Sequence, residues 1–328
     1  MNPIPKTFVG KPSDYPLKLS AKEVRRRFLK LLGPFQTPSV PLKLKVTDEK
    51  ILDGDVIQQR VEYFVEKGER VPALHLFLKG LAPDAPGVLA IHEHGGDSNF
   101  PLGKAIHAQP DVNDPRRYAY HAARAGFRVL APDALAFGER QSKIGGTCAF
   151  GYEIVAHAEL CSRGKSLAWK SVWDNSRAIE VLEKLGARKI GAIGHSGGST
   201  QNYILTSVNP KVRAAVCTFS FCTLRHQFYQ HRLHHCLYHY IPGMMKAGID
   251  WDQVVALAAP RKFFFGWGDQ DDGSPSLMYR AFVGAIRARC RLERLPSSIE
   301  VHEEKGCPHR ITPAMLSHAL DFLKSNLA

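Results

Sequence analysis

The chain has 328 residues, 44% of them hydrophobic and 23% charged. Those proportions exclude a disordered or fibrous protein and leave one large α/β domain or two small ones. The 44 Lys and Arg outnumber the 31 Asp and Glu, giving +13 at pH 7. The excess is spread along the chain and no nucleic-acid-binding motif accompanies it. It reads as a basic solvated surface with a mild pull on anionic substrates, and no nucleic-acid partner is expected. The 7 cysteines are odd in number and scattered, without a C-x-x-C pair, which suits reduced thiols and a cytoplasmic setting. No apolar stretch reaches transmembrane length, so no membrane partner is expected.

Residues 1–41 are punctuated by proline and read as an extension packed on the main domain, residues 42–328. Arg25-Arg26-Arg27-Phe28-Leu29-Lys30 resembles a twin-arginine export core. An export signal needs a following apolar stretch, whereas Gly33-Pro34 follows almost at once. The segment reads instead as a basic amphipathic helix from about Ser20 to Leu32, with Ser20 as N-cap. Leu42–Val46 alternates like a half-buried strand. Val56–Val65 and Val71–Leu78 are two more strands about the turn at Lys67-Gly68-Glu69, an antiparallel start to a mixed sheet.

Gly87-Val88-Leu89-Ala90-Ile91-His92 is a continuous apolar strand running into Glu93-His94-Gly95-Gly96-Asp97. Asp114–Ala125 predicts a helix with Asp114 as N-cap and Pro115 at its first position. Phe127–Ala131 is the next strand, and Pro132-Asp133 opens a long irregular stretch to about residue 165. Lys165–Leu185 is a long helix. From residue 87 onward strands and helices alternate, which implies a largely parallel sheet with right-handed crossovers.

Arg188–Ile193 is a short buried strand and Ser199–Leu205 opens a helix. Between them, Gly194-His195-Ser196-Gly197-Gly198 has the G-x-S-x-G form of a nucleophile elbow. That turn presents a serine Oγ on a sharp bend, and Gly194 and Gly198 let strand and helix cross without Cβ collisions. Val212–Phe219 is the following strand. Residues 220–258 then bring His226, His231, His234, His235 and His239 together with Phe221, Phe228, Tyr229, Tyr238, Tyr240 and Trp251. His231, His235 and His239 would share one helical face, but no acid or cysteine stands at ligand spacing. The segment therefore reads as a lid or pocket wall rather than a metal site. Arg261–Phe265, a helix at 276–289, Ile299–Glu303 and a closing helix at Pro313–Leu323 complete the chain.

A serine nucleophile needs a histidine base and a carboxylate to orient that histidine. Ser196, the acidic run Asp269–Asp272 and His309 follow one another in the chain order, and at the strand ends, that the elbow motif implies. Among the aspartates Asp271 fits best, three residues after Gly268 and four before Pro275, leaving Asp269 and Asp272 as turn or capping residues. His302 lies within the last strand and would point sideways, whereas His309 stands in the loop beyond it.

Leu89-Ala90-Ile91-His92-Glu93-His94-Gly95-Gly96, Ala125–Asp133 continuing to Phe137-Gly138-Glu139-Arg140, Val172-Trp173-Asp174, the elbow, Ile241-Pro242-Gly243 and Ala258–Arg261 running to Gly268-Asp269-Gln270-Asp271 together resemble the dienelactone-hydrolase and acetyl-xylan-esterase-like branch of the α/β-hydrolases. The resemblance covers about 240 residues, from roughly 85 onward. It implies an α/β-hydrolase fold with a mostly parallel central sheet flanked by helices, an N-terminal extension and a lid-like insertion. It also implies a Ser196–Asp271–His309 triad that cleaves a small-molecule or carbohydrate ester without metal or organic cofactor. The backbone N–H groups of Gly197 and His94 would form the oxyanion hole. His92, Glu93, His195, Phe221, Tyr240 and Trp267 are the expected pocket side chains. One residue departs from the pattern. Such proteins often have glycine where Glu93 stands, while dienelactone hydrolases carry a glutamate in a comparable loop beside a cysteine nucleophile. A lactone hydrolase, a peptidase and a non-catalytic binding scaffold are the alternative readings.

Overall fold

The computed structural model describes residues 19–33, 40–95, 101–141, 149–229, 236–258, 261–296 and 298–328. Nine strands form one sheet: β1 (Lys45–Leu52), β2 (Val56–Glu66), β3 (Glu69–Leu78), β4 (Gly87–Ile91), β5 (Arg128–Pro132), β6 (Ile190–His195), β7 (Val212–Thr218), β8 (Lys262–Gly268) and β9 (Ser298–Glu304). Their order across the sheet is β1-β2-β3-β5-β4-β6-β7-β8-β9. The pairings from β1 through β3 to β5 are antiparallel, and those from β5 to β9 are parallel. Continuous burial along β4 and β6 matches strands covered on both faces.

The helices are α1 (Ala21–Leu32), α2 (Ala105–Ala108), α3 (Tyr118–Arg124), α4 (Ala149–Ser162), α5 (Leu167–Lys184), α6 (Gly197–Val208), α7 (Leu224–Tyr229), α8 (Trp251–Ala256), α9 (Ser276–Leu292) and α10 (Pro313–Leu327). The predicted N-terminal helix is present as α1, with Ser20 Oγ accepting from the Glu23 amide at 3.3 Å. Its apolar stripe of Val24, Phe28 and Leu32 is fully buried, with the Phe28 ring edge-on to Trp251.

Three expectations change. The first strand is residues 45–52 rather than 42–46. Lys43 takes a left-handed backbone angle (φ 44°) just before it, which breaks the alternation that Leu42 and Leu44 suggest. The helix expected from Asp114 starts at Tyr118. The Asp114 side chain turns back onto the Arg116 amide at 2.9 Å, a local turn that competes with the first helical turn. The irregular stretch after β5 contains α4, which has little amphipathic periodicity and so leaves a weak trace in the sequence.

The β5 loop is tied down by hydrogen bonds and ion pairs. Asp133 accepts from the Lys104 and Glu139 amides at 2.8 and 3.0 Å and pairs with the Lys104 ammonium at 2.5 Å. Gly138 packs so tightly on that carboxylate that a Cβ would lie 2.4 Å from Asp133 Oδ1. Arg140 and Lys170 both grip Asp174, at 2.9 Å each. These buried pairs hold the Pro132–Arg140 loop under the sheet's carboxyl edge.

In-register parallel pairing gathers the loops that matter. Ile91 pairs with Gly194, His195 with Thr218, Thr218 with Gly266, and Gly268 with Glu304. The segments that follow these strands therefore all leave the same edge, where open α/β sheets bind ligands.

Candidate active site

At the carboxyl end of β6 the chain turns into α6 within one residue. Ser196 is the N-cap of α6, with φ 52° and ψ −120°, a conformation that costs about 1–3 kcal/mol for a non-glycine residue. Its side chain makes no capping bond to the helix, so Oγ is available elsewhere. The glycines are required sterically. A Cβ on Gly194 would lie 2.3 Å from Gly198 O, and one on Gly198 would lie 2.1 Å from Ile91 O. Gly197 is equally constrained, since a Cβ there would lie 2.0 Å from His94 Nδ1.

Ser196 Oγ lies 2.9 Å from His309 Nε2, and His309 Nδ1 lies 2.9 Å from Asp271 Oδ2. The three residues come from the loops after β6, β9 and β8. The alternatives are placed elsewhere. His302 faces Glu304 and His318, and Asp269 accepts from the Gly306 amide at 2.7 Å in a loop turn. Asp271 is almost fully buried. Burial opposes its ionisation, but the hydrogen bond and charge of His309, the Tyr279 hydroxyl and the Gly273 amide outweigh it and hold the carboxyl below its ordinary pKa. This is the arrangement in which a histidine can take the proton of a serine hydroxyl while a carboxylate fixes its tautomer.

Two residues that sequence reasoning missed complete this arrangement. Tyr279, on α9, donates its hydroxyl to Asp271 Oδ2 and accepts from the Ser220 amide at 3.2 Å. Ser220 Oγ in turn lies 3.3 Å from Ser196 Oγ. Phe219 and Ser220 both adopt left-handed angles, φ 61° and 52°, which brings this bend against the elbow. The Phe219 ring packs 4.8 Å from the His309 ring. A tyrosine in a predicted helix and a serine one residue beyond a strand carry no motif.

The loop after β4 is tied down on three sides. Tyr118 donates to Ile91 O at 2.7 Å. His92 Nε2 accepts from the Ala134 amide at 3.0 Å, so its Nδ1–H donates to Glu93 O at 2.8 Å. His94 Nε2 meets the buried Glu153 carboxylate of α4 at 2.9 Å. Glu153 is a third residue with no legible signal, because its helix was not predicted.

Among the described residues the cleft over Ser196 has a volume of about 640 Å³. Its walls are Glu93 and Gly95, Asn113–Arg116, His195 and Ser196, and His309–Pro313. Of the expected pocket side chains it thus includes Glu93 and His195. The others are placed differently. His92 is engaged with backbone. Phe221 is in a buried aromatic cluster with Phe265, Tyr279 and Phe282. Trp267 donates to Ser276 Oγ at 2.9 Å, and Tyr240 accepts from Gln227 at 2.7 Å. Much of the described part of segment 220–258 is buried: Tyr238 and Trp251 are in the core, and Asp250 caps α8 while holding the Leu224 and Arg225 amides. His239 is buried beside Thr200, and His231, His234 and His235 lie outside the described residues. Among the described residues no three His, Cys, Asp or Glu side chains gather in a way that could hold a metal ion.

No family model matches the sequence, and no curated protein sequence matches it. Solved structures do match. A Bacteroides fragilis protein inferred to be an acetyl xylan esterase superposes with a TM-score of 0.68 at 16% identity, over 90% of this chain and 78% of that one. A glucuronoyl esterase of Solibacter usitatus gives 0.65 at 16% identity, over 98% and 95%. Acetyl xylan esterase 1 of a Thermoanaerobacterium species gives 0.61 at 14%, over 97% and 95%. The chain has the α/β-hydrolase fold, in the form that these carbohydrate-esterase structures share with it.

Two outcomes follow from this geometry. Replacing Tyr279 by Phe removes one hydrogen bond from Asp271 and orphans the Ser220 amide. Steady-state kinetics should show kcat down about tenfold with KM little changed, the size of one lost charge-assisted bond. Burial pushes the Glu93 carboxyl from 4.5 up to about 7, so the folded chain holds a proton that the unfolded chain has released. Stability therefore falls as pH rises from about 4.5 to about 7, by up to about 3 kcal/mol. Glu93→Gln should raise the melting temperature by several degrees at pH 8 and by little at pH 5.

Proposed function

We propose that this protein is a serine carboxylic ester hydrolase, an acetyl-esterase-like enzyme that works through an acyl-enzyme. The observation that carries the reading is the unbroken hydrogen-bonded path from Ser196 Oγ through His309 to the buried Asp271, opening on a cleft. Ser196 Oγ attacks the ester carbonyl as His309 Nε2 takes its proton. The Asp271 carboxylate stabilises the imidazolium through Nδ1–H. The oxyanion would be held by the Gly197 amide, at the N-terminus of α6 where backbone donors are left unpaired by the helix, and by the His94 amide. Such donors are each worth about 3–4 kcal/mol in the transition state.

Collapse of the tetrahedral intermediate breaks the C–O bond to the alcohol, and His309 returns its proton to the departing oxygen. A water, deprotonated by the same imidazole, then adds to the acyl-enzyme, releases the acid and restores Ser196. None of these steps calls on a group outside the chain and water.

The substrate class we propose is an ester of a sugar or similar polyol, since the similar structures are named for xylan acetate and glucuronoyl esters. The six described cysteines are all free thiols, which fits a reducing, cytoplasmic setting. No described helix is long and apolar enough to cross a membrane.

The test is release of para-nitrophenol from its acetate and butyrate by wild type and Ser196→Ala, both checked for folding. Turnover by wild type should fall at least about 10⁴-fold in the variant, with aminoacyl anilides left uncleaved by both. Equal ester turnover by the two proteins would refute the Ser196 mechanism, and anilide cleavage by wild type would favour a peptidase.

A further inference from the structure

Glu153 of α4 is fully buried, and its one hydrogen-bond partner among the described residues is His94. Both carboxyl oxygens lie near His94 Nε2, at 2.9 and 3.2 Å, so this nitrogen carries a proton and donates it. The histidine is itself sealed from water, with only 2% of the residue exposed. Taking a carboxyl out of water is costly, and an apolar side chain of similar volume often serves a fold as well or better. The packing of α4 alone therefore gives no reason for an acid at this position. The reason lies in what the histidine touches.

His94 meets both halves of the proposed oxyanion hole. Its own amide is one donor. Its ring presents an edge to the residue that provides the other, since a Cβ on Gly197 would stand 2.0 Å from His94 Nδ1 and 2.6 Å from Cε1. The imidazole is thus wedged between the first residue of α6 and the buried acid of α4. Phe137 and Tyr238 pack on it with ring centres 5.3 and 5.8 Å away. Packing against rings does not tell one edge of an imidazole from the other, whereas the bond to Glu153 does. Oxyanion donors act only when they stand about 2.7–3.1 Å from the developing charge, so a small turn of this ring against Gly197 moves a donor out of range.

Resting on the esterase reading above, we infer that Glu153 is a positioning residue for the hydrolysis: its buried carboxyl fixes the His94 ring against Gly197 and so keeps the His94 and Gly197 amides converged on the oxyanion.

Three substitutions separate reach from charge. Glu153→Gln keeps an acceptor at the same reach without the charge. Glu153→Asp keeps the charge but falls one carbon short, and Glu153→Met keeps the size and offers no acceptor. Each is checked for folding by circular dichroism and then assayed by steady-state hydrolysis of para-nitrophenyl acetate. Glu153→Gln should keep kcat within about threefold of wild type. Glu153→Asp and Glu153→Met should lose about 10- to 100-fold in kcat with KM little changed, less than the about 100- to 1,000-fold of a donor lost outright. In a His94→Phe background Glu153→Asp should cost nothing further, because the carboxyl acts through that ring. Wild-type kcat in a folded Glu153→Asp or Glu153→Met overturns the inference, and either variant suffices if the other does not fold. A loss in Glu153→Gln as large as in Glu153→Met also overturns it, as does a loss confined to KM or a full further loss in the His94→Phe background. Failure of the esterase reading itself would be recognised separately, as ester turnover surviving in Ser196→Ala.

Discussion

The close crossing of β6 and α6 is the constraint on which the rest of the site depends. Strand and helix approach so nearly that neither Gly194 nor Gly198 could carry a Cβ without meeting backbone atoms. The bend throws Ser196 into a left-handed angle, which leaves its hydroxyl off the helix and toward His309. It also places the first amides of α6 beside the loop after β4. The neighbouring strand ends in a matching bend at Phe219-Ser220, and Tyr279 ties that bend to Asp271. Strain at the two bends is held by the parallel pairings beneath them, which between β6 and β7 run unbroken from Gly191–Ala214 to His195–Thr218. Without such a frame, a cost of about 1–3 kcal/mol at each left-handed residue would relax into an ordinary turn.

Behind this bend the polar groups nearest the triad are matched. Asp271 receives bonds from His309, Tyr279 and Gly273. His92 is satisfied by backbone at both nitrogens, and His94 is anchored by Glu153. On the cleft side, Glu93 Oε2 is buried without a hydrogen-bond partner among the described residues. Burial raises the pKa of the Glu93 carboxyl, and this lowers stability at neutral pH.

Much of this was legible in the sequence. Periodicity and glycine punctuation located the N-terminal helix, the antiparallel start and the parallel strands, because each has a strong apolar repeat. The chain order Ser196, Asp271, His309 was legible because each stands just past a strand, where only a few side chains can reach the elbow. What stayed hidden has physical causes. α4 lacks an amphipathic stripe, so Glu153 had no apparent host. The left-handed angle at Lys43 and the side-chain turn at Asp114 shifted element starts by a few residues, and nothing in residue identity marks them. Phe221, Tyr240 and Trp267 suggested a pocket because aromatic residues serve cores and ligand faces alike. Only their packing against Phe265, Phe228 and Ser276 separates the two. Tyr279 and Ser220 act through backbone bends that no spacing rule foretells.

The central claim is that Ser196 Oγ is a nucleophile activated by His309. The most direct measurement is covalent labelling with a fluorophosphonate, followed by mass mapping of the peptides. The expected result is a single adduct on Ser196 that forms quickly in wild type and falls by orders of magnitude in rate in a folded His309→Ala. An adduct on another residue, or one on Ser196 that forms as fast without His309, would contradict it.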